Sequence, residues 1–188
     1  MWEFEKSIIC PEDKKSVARY DQYRTYYKVK YDLAKRFAPK TILEIGVRAG
    51  YSAHSFLSAC PHANYTGIDA ENGTHGGQGG KDGTWGTWAR KLLDGFDVTY
   101  IKADSQKLTE IDGKYDFIHI DGDHTTEGLL HDLEICWPAI NEGGVILVDD
   151  YDYISTVTKG CDVWANKPGV KKEYIKSLRG EIIFSADC

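Results

Sequence analysis

No stretch of this 188-residue chain approaches the ~20 consecutive apolar residues that a membrane-spanning helix needs, which excludes a helical span. The first residues, Met1-Trp2-Glu3-Phe4-Glu5-Lys6, lack the basic-then-apolar order of a secretion signal. Cysteine is sparse: Cys10, Cys60, Cys136, Cys161 and Cys188 are scattered, odd in number and never arranged as Cys-x-x-Cys. That argues against a disulfide frame or a zinc site and leads to the expectation of reduced thiols in a cytoplasmic protein. Sustained positive charge is missing too. The net charge is −6 and basic residues come in short runs such as Lys171-Lys172, so a nucleic-acid backbone is not the expected partner. Internal repeats and linker-like stretches are absent. With 41% hydrophobic and 28% charged residues, the chain reads as one soluble domain over residues 1–188.

The chain is organised around Thr41-Ile42-Leu43-Glu44-Ile45-Gly46-Val47-Arg48-Ala49-Gly50-Tyr51-Ser52. It reads as a buried strand that breaks at glycine, turns, and enters a helix near Tyr51. Such a turn lets a ligand approach the backbone and meet the N–H groups of the helix's first turn. The dinucleotide fingerprint Gly-x-Gly-x-x-Gly lacks its second glycine here, which disfavours NAD.

Residues 1–18 are polar and irregular and read as a lead-in. Tyr20, Tyr23, Tyr27 and Tyr31 then recur in steps of three and four, giving a helix that ends before Pro39 with its tyrosines on a packing face. Strands follow at 41–45, 64–68, 98–102, 115–120 and 145–148, separated by helices at 51–59, from Trp85 to about Asp94, and 127–140. Residues 153–165 and 170–178 are expected to be helical, with one more short strand at 180–184. The glycine-rich stretch 72–83 is longer than an ordinary connection and is a candidate lid. Near-continuous apolar strands alternating with helices predict an α/β, doubly wound, mostly parallel sheet with helices on both faces.

Acidic residues fall at or near the ends of four strands: Glu44, Asp69, Asp121 and Asp149-Asp150. In open α/β sheets ligands bind beyond the carboxyl ends of the strands, so these acids gather on one rim. Asp69 stands 23 residues after Gly46, near the spacing at which a carboxylate meets a ribose. Asp104, in Ala103-Asp104-Ser105-Gln106, is placed to accept from an exocyclic amine. Asp121, Asp149 and Asp150 would repel one another without a cation among them, and hard oxygen ligands suit Mg2+ or Ca2+. His124, three residues after Asp121, is a candidate base.

Taken together, these segments resemble class I S-adenosylmethionine-dependent methyltransferases of the metal-dependent O-methyltransferase kind. The nearest group is methyltransferase family 24, related to catechol, caffeoyl-CoA and macrolide-sugar O-methyltransferases. The resemblance rests on Leu43 to Ser52, Gly67-Ile68-Asp69, Ala103 to Gln106, Phe117 to Thr125 and Gly143 to Tyr151. It implies a Rossmann-like fold and a methionine site formed by Glu44, Gly46, Val47, Gly50, Tyr51 and Ser52. It further implies Asp69 on the ribose, Asp104 and Ser105 on the adenine, and Asp121 at both cofactor and metal. The implied metal ligands are Asp121, Asp149 and Asp150, with Mg2+ as the ion and Ca2+ or Mn2+ as alternatives. His124 with Asp121 would be catalytic, and Trp85, Trp88 and Tyr151 would line the acceptor pocket. The implied partner is a small hydroxylated methyl acceptor such as a sugar or phenol, with no nucleic acid or membrane, and a homodimer is left open. Two rivals stand beside this expectation: a hydroxylase-like relative with a metal at the same rim, and a non-catalytic S-adenosylmethionine-binding protein. The part after Asp150 looks too short for the family's final antiparallel strand pair.

Overall fold

The computed structural model describes residues 2–71 and 83–186; the expected lid at 72–83 lies outside them except for Gly83. Seven strands make one sheet: β1 (Thr41–Ile45), β2 (Asn64–Asp69), β3 (Val98–Lys102), β4 (Tyr115–Ile120), β5 (Ile140–Val148), β6 (Val170–Ile175) and β7 (Glu181–Ala186). Their order is β3-β2-β1-β4-β5-β7-β6. The first five run parallel, and β7 is antiparallel to both β5 and β6. The helices are α1 (Lys14–Ala18), α2 (Tyr20–Phe37), α3 (Tyr51–Ala59), α4 (Thr84–Leu92), α5 (Thr126–Cys136) and α6 (Ser155–Ala165). None of the helices described is long and apolar enough to cross a membrane.

Strand alternation sorts the core into two layers. Leu43, Ile45, Ile118, Ile120, Ile146, Val148, Ile182 and Phe184 pack with Leu129 and Leu133 of α5 and Val157, Cys161 and Trp164 of α6. Their neighbours Ile42, Phe117, Val145, Leu147 and Ile183 pack with Leu33 of α2, Phe56 and Leu57 of α3, and Leu93 just after α4. Both faces are therefore covered, as near-continuous apolar strands require. The cysteines among the described residues are free.

Three expectations are corrected. Residues 170–178 are not helical: Val170–Ile175 forms an edge strand paired antiparallel with β7, so the final strand pair is complete. Its exposed residues give no apolar alternation from which a strand could be read. The helix expected at 127–140 stops at Cys136, because Pro138 falls in a short 3-10 turn, and β5 begins at Ile140, five residues before its expected start. The supposed lead-in is structural. Phe4, Ile8, Ile9 and Cys10 are buried against Tyr23, Tyr26, Tyr27 and Tyr51, and the Trp88 indole N–H donates to the Ile8 carbonyl at 2.9 Å.

A row of buried polar groups crosses the α2 side of the sheet. Lys30 of α2 donates to Asp149 at 3.0 Å and to His119 Nε2 at 3.2 Å, and its ammonium lies 3.3 Å from Glu181. His119 Nδ1 meets Glu44 at 2.9 Å, and Glu44 also accepts from the Tyr65 hydroxyl. Since Lys30 can only donate, Nε2 accepts and the His119 proton sits on Nδ1. The Glu181 contact is electrostatic: its oxygens make no hydrogen bond, and burial pushes its carboxyl pKa up against the pull of Lys30. Burial alone would lower the Lys30 pKa, but Asp149 and Glu181 hold the ammonium charged, well above its ordinary value. Burial would likewise raise Asp149, but the Lys30 ammonium and the Tyr26 hydroxyl hold it well below the usual carboxylate range. Removing one partner of such a pair leaves an uncompensated buried charge. Lys30→Met should therefore lose about 3–5 kcal/mol in a urea unfolding curve. A loss below about 1 kcal/mol would show that this row does not hold the fold.

Candidate active site

A cavity of about 440 Å³ opens where the parallel strands end. Gly46 leaves β1 at φ +89°, and a Cβ there would lie 2.1 Å from the Asp121 carbonyl oxygen, so only glycine lets the two strand ends meet. Val47, Arg48 and Ser52 continue this wall. Gly50 and Glu44, both expected at the methionine site, are not on it. Gly50 (φ +76°) backs onto Ala89 of α4, and Glu44 points to the α2 side of the sheet, bonded to His119 and Tyr65. Alternation explains Glu44: one residue from Ile45 along a strand, it must face the opposite layer. Tyr51 lines the cavity, but its hydroxyl is engaged by the Cys10 N–H at 2.9 Å and by Asp13 at 3.3 Å.

Asp69 reaches the cavity from the end of β2, where its carboxylate accepts the N–H groups of Arg48 at 2.7 Å and Glu71 at 2.6 Å. These bonds fix the carboxylate while leaving lone pairs for a ligand, since a carboxylate has about four acceptor sites. Asp104 and Ser105 follow β3. Asp104 caps the Ser105–Lys107 turn by accepting from the Gln106 N–H at 3.1 Å and pairs with Lys107 at 3.2 Å. All three positions expected for ribose and adenine thus lie on one side of the cavity.

On the other side, Asp121, His124 and Asp150 converge. His124 Nε2 is 3.0 Å from Asp121 and 3.7 Å from Asp150. Asp149, expected as the third acidic ligand, is absent from this group: its carboxylate turns to Lys30 and Tyr26 beneath the cavity. The split between the neighbours arises because Asp150 adopts φ +62°, a left-handed conformation that aspartate tolerates better than most residues. Arg179, which the sequence reading missed, donates to both Asp150 oxygens at 2.9 and 3.3 Å and to the Tyr23 hydroxyl at 3.0 Å. Its guanidinium also lies 5.1–5.6 Å from the ring centres of Tyr23, Tyr26 and Tyr153.

The electrostatics follow from this crowding. Burial and the charges of Asp149 and Asp121 push Asp150 up to about 7, against Arg179 and His124. Burial would lower His124, but the Asp121 hydrogen bond and the nearby carboxylates raise it to about 9. The tyrosine stripe of α2 proves to be wall as well as packing face: Tyr23 and Tyr27, with Tyr26, line the cavity. Trp85 lines it too, with Arg48 4.5 Å from its ring centre. Trp88 and Tyr151 do not: Trp88 is tied to Ile8, and the Tyr151 hydroxyl bonds to Asp162 beside the β6 edge.

A family model described as "Methyltransferase domain" (methyltransferase family 24) matches residues 43–151, more than half of the chain. Comparison with curated protein sequences found no match. Among solved structures, the S-adenosylhomocysteine-bound methyltransferase PaMTH1 of Podospora anserina is similar, with a TM-score of 0.75 at 14% identity, covering 100% of this chain and 90% of that one. An O-methyltransferase from Bacillus cereus in complex with S-adenosylhomocysteine gives 0.67 at 16% identity, over 98% and 92% of the two chains. TomG of Streptomyces achromogenes, an O-methyltransferase involved in tomaymycin synthesis and bound to S-adenosylmethionine, gives 0.65 at 15% identity, over 98% and 91%. At these identities the structural likeness speaks to the fold, and the family rests on the sequence match. The chain belongs to the methyltransferase-domain family and has the fold of the cofactor-bound methyltransferases it resembles.

Proposed function

We propose that this enzyme transfers the sulfonium methyl of S-adenosylmethionine to a hydroxyl oxygen of a small molecule. The observation that carries this reading is the meeting, in one cavity, of the Asp69, Asp104 and Ser105 side with the Asp121, His124 and Asp150 cluster. The cavity's volume of about 440 Å³ falls within the range of small-molecule sites, and Asp69 keeps acceptor capacity for a ribose. Asp104 and Ser105, one strand further along the rim, would face the adenine. Gly46, Val47 and Ser52 would flank the methionine portion.

His124 would take the acceptor's proton in its neutral form, which prevails above about pH 9, with Asp121 orienting its ring. The tyrosine wall and Trp85 would seat an acceptor such as a phenol or a sugar against it. The donor set also fits a divalent cation: Asp121, His124 and Asp150 each offer one ligand atom, all within 4.8 Å of one another. Asp121 and Asp150 would hold it, and a bound ion supplies Lewis acidity that lowers a hydroxyl's pKa. Two carboxylates are hard oxygen ligands that suit Mg2+, Mn2+ or Ca2+. One imidazole with two carboxylates is the reverse of the two-histidine, one-carboxylate set of non-haem iron oxygenases, which favours methyl transfer over hydroxylation.

Calorimetry should detect S-adenosylhomocysteine binding to the wild type, weakened at least about tenfold in Asp69→Ala. No binding to the wild type would overturn the proposal. With radiolabelled cofactor and a panel of hydroxylated acceptors, His124→Ala should lower kcat by about a hundredfold or more while retaining Mn2+ affinity. If Mn2+ binding were lost instead, His124 would be a ligand and not the base.

A ring-proton NMR titration should place the His124 pKa near 9, and Asp121→Asn should bring it down toward 6.5. The folded value lies above the unfolded one. The pairing therefore adds stability that is fully present below pH 6.5 and is lost as pH rises through about 9. A wild-type pKa at or below 6.5 would contradict this pairing.

A further inference from the structure

The amino-acid end of the cofactor lacks its expected acid. Glu44 is turned away to His119 and Tyr65, and Gly50 is packed on Ala89. Accepting the proposed cofactor, its order along the rim is set by the strand order: adenine at β3, ribose at β2, and the methionine portion beyond the end of β1. What covers that position is α1. Asp13 caps α1 by accepting from the Ser16 N–H at 3.0 Å, pairs with Arg48 at 3.0 Å, and receives the Tyr51 hydroxyl at 3.3 Å. Arg48 lies in the turn leaving β1 and Tyr51 opens α3 directly after it, so α1 is fastened over the place where the zwitterionic end would lie.

The charges on this side of the cavity make one residue stand out. Arg48 is paired with Asp13, Glu71 with Arg90 and Lys102, Asp104 with Lys107, and Arg179 with Asp150. Lys15 of α1 lines the cavity and, among the described residues, has no acidic partner. A carboxylate entering this pocket finds in Lys15 a cation with no ion pair to break. Lys14 does not line the cavity, and its ammonium bonds to the Pro11 carbonyl at 2.8 Å. We propose that Lys15 binds the α-carboxylate of the cofactor's methionine portion, so that the N-terminal segment forms the wall that recognises the amino-acid end.

The test uses two ligands that share adenosine and thioether but differ in the amino-acid end: S-adenosylhomocysteine and 5′-methylthioadenosine. Calorimetry on the full chain should show Lys15→Ala weakening S-adenosylhomocysteine about five- to tenfold while leaving 5′-methylthioadenosine unchanged. Lys15→Arg should retain most of the affinity, Lys15→Glu should lose more than Lys15→Ala, and Lys14→Ala should change neither ligand. Lys15 is exposed, so these variants should unfold at the wild-type midpoint. Equal weakening of both ligands, or of neither, in Lys15→Ala would overturn the inference while leaving the proposed function standing. Failure of the wild type to bind either ligand would overturn both.

Discussion

Lys30 carries its ammonium group to a place with no solvent access, between Asp149, Glu181 and the His119 ring. Burying a charge costs several kcal/mol unless a partner meets it with good geometry, and the partner here stands at the end of β5. The requirement fixes how α2 lies on the sheet. Tyr23, Tyr26 and Tyr27 precede Lys30 by seven, four and three residues, so they share its helix face. Docking Lys30 on Asp149 therefore brings these rings over the ends of β4 and β5, where they wall the cavity. The wall and the fold are set by one contact.

The two acids at the end of β5 show how finely the rim divides tasks. Asp149 keeps the strand's alternation and falls on the α2 side, in the same layer as Leu147. Asp150 would fall on the opposite face if the strand continued. Its left-handed backbone turns it to the cavity instead, where Arg179 and His124 meet it. The Asp150 N–H also donates to the Asp149 side chain at 2.8 Å, so the member beneath the cavity braces the one that lines it. Burial and the two neighbouring carboxylates lift the Asp150 pKa to about 7, against the pull of the two cations.

The parallel core was legible in the sequence because its signals are local. β1 and β4 are apolar runs closed by glycine or acid, and their bounds, like those of β3 and α3, coincide with those read from the sequence. The rim acids were legible for the same reason: strand ends in such sheets point to one edge. What escaped depends on tertiary partners. Glu44 and Asp149 look like their rim neighbours in a linear pattern, and only their partners from other elements, His119 and Tyr65 for Glu44 and Lys30 and Tyr26 for Asp149, show them to be buried and paired. β6 has the composition of a solvated helix, and its strand form comes from pairing with β7. The buried aromatic and aliphatic residues before Tyr20 lack periodicity because they fill gaps beside α2 and α4 rather than lie along one element.

Arg179 follows from topology. Because β7 runs antiparallel to β5, its beginning lies at the edge where β5 ends, so the residues just before β7 reach the cavity rim. The Tyr151 N–H donates to the Gly180 carbonyl at 3.0 Å and the Asp152 N–H to the Arg179 carbonyl at 2.7 Å, locking the two chain segments together. The guanidinium is then held by Asp150, by the Tyr23 hydroxyl and by three tyrosine rings, and it stays charged at any pH the fold survives. A divalent ion bound at this rim must therefore share Asp150 with a fixed cation, whereas the His124 cation can yield its proton. Like charges so close weaken one another's hold on the shared carboxylate, so Arg179 sets an upper limit on ion affinity that the acids alone would not. The same guanidinium orients Asp150 in advance, which spares an incoming ion the cost of ordering it.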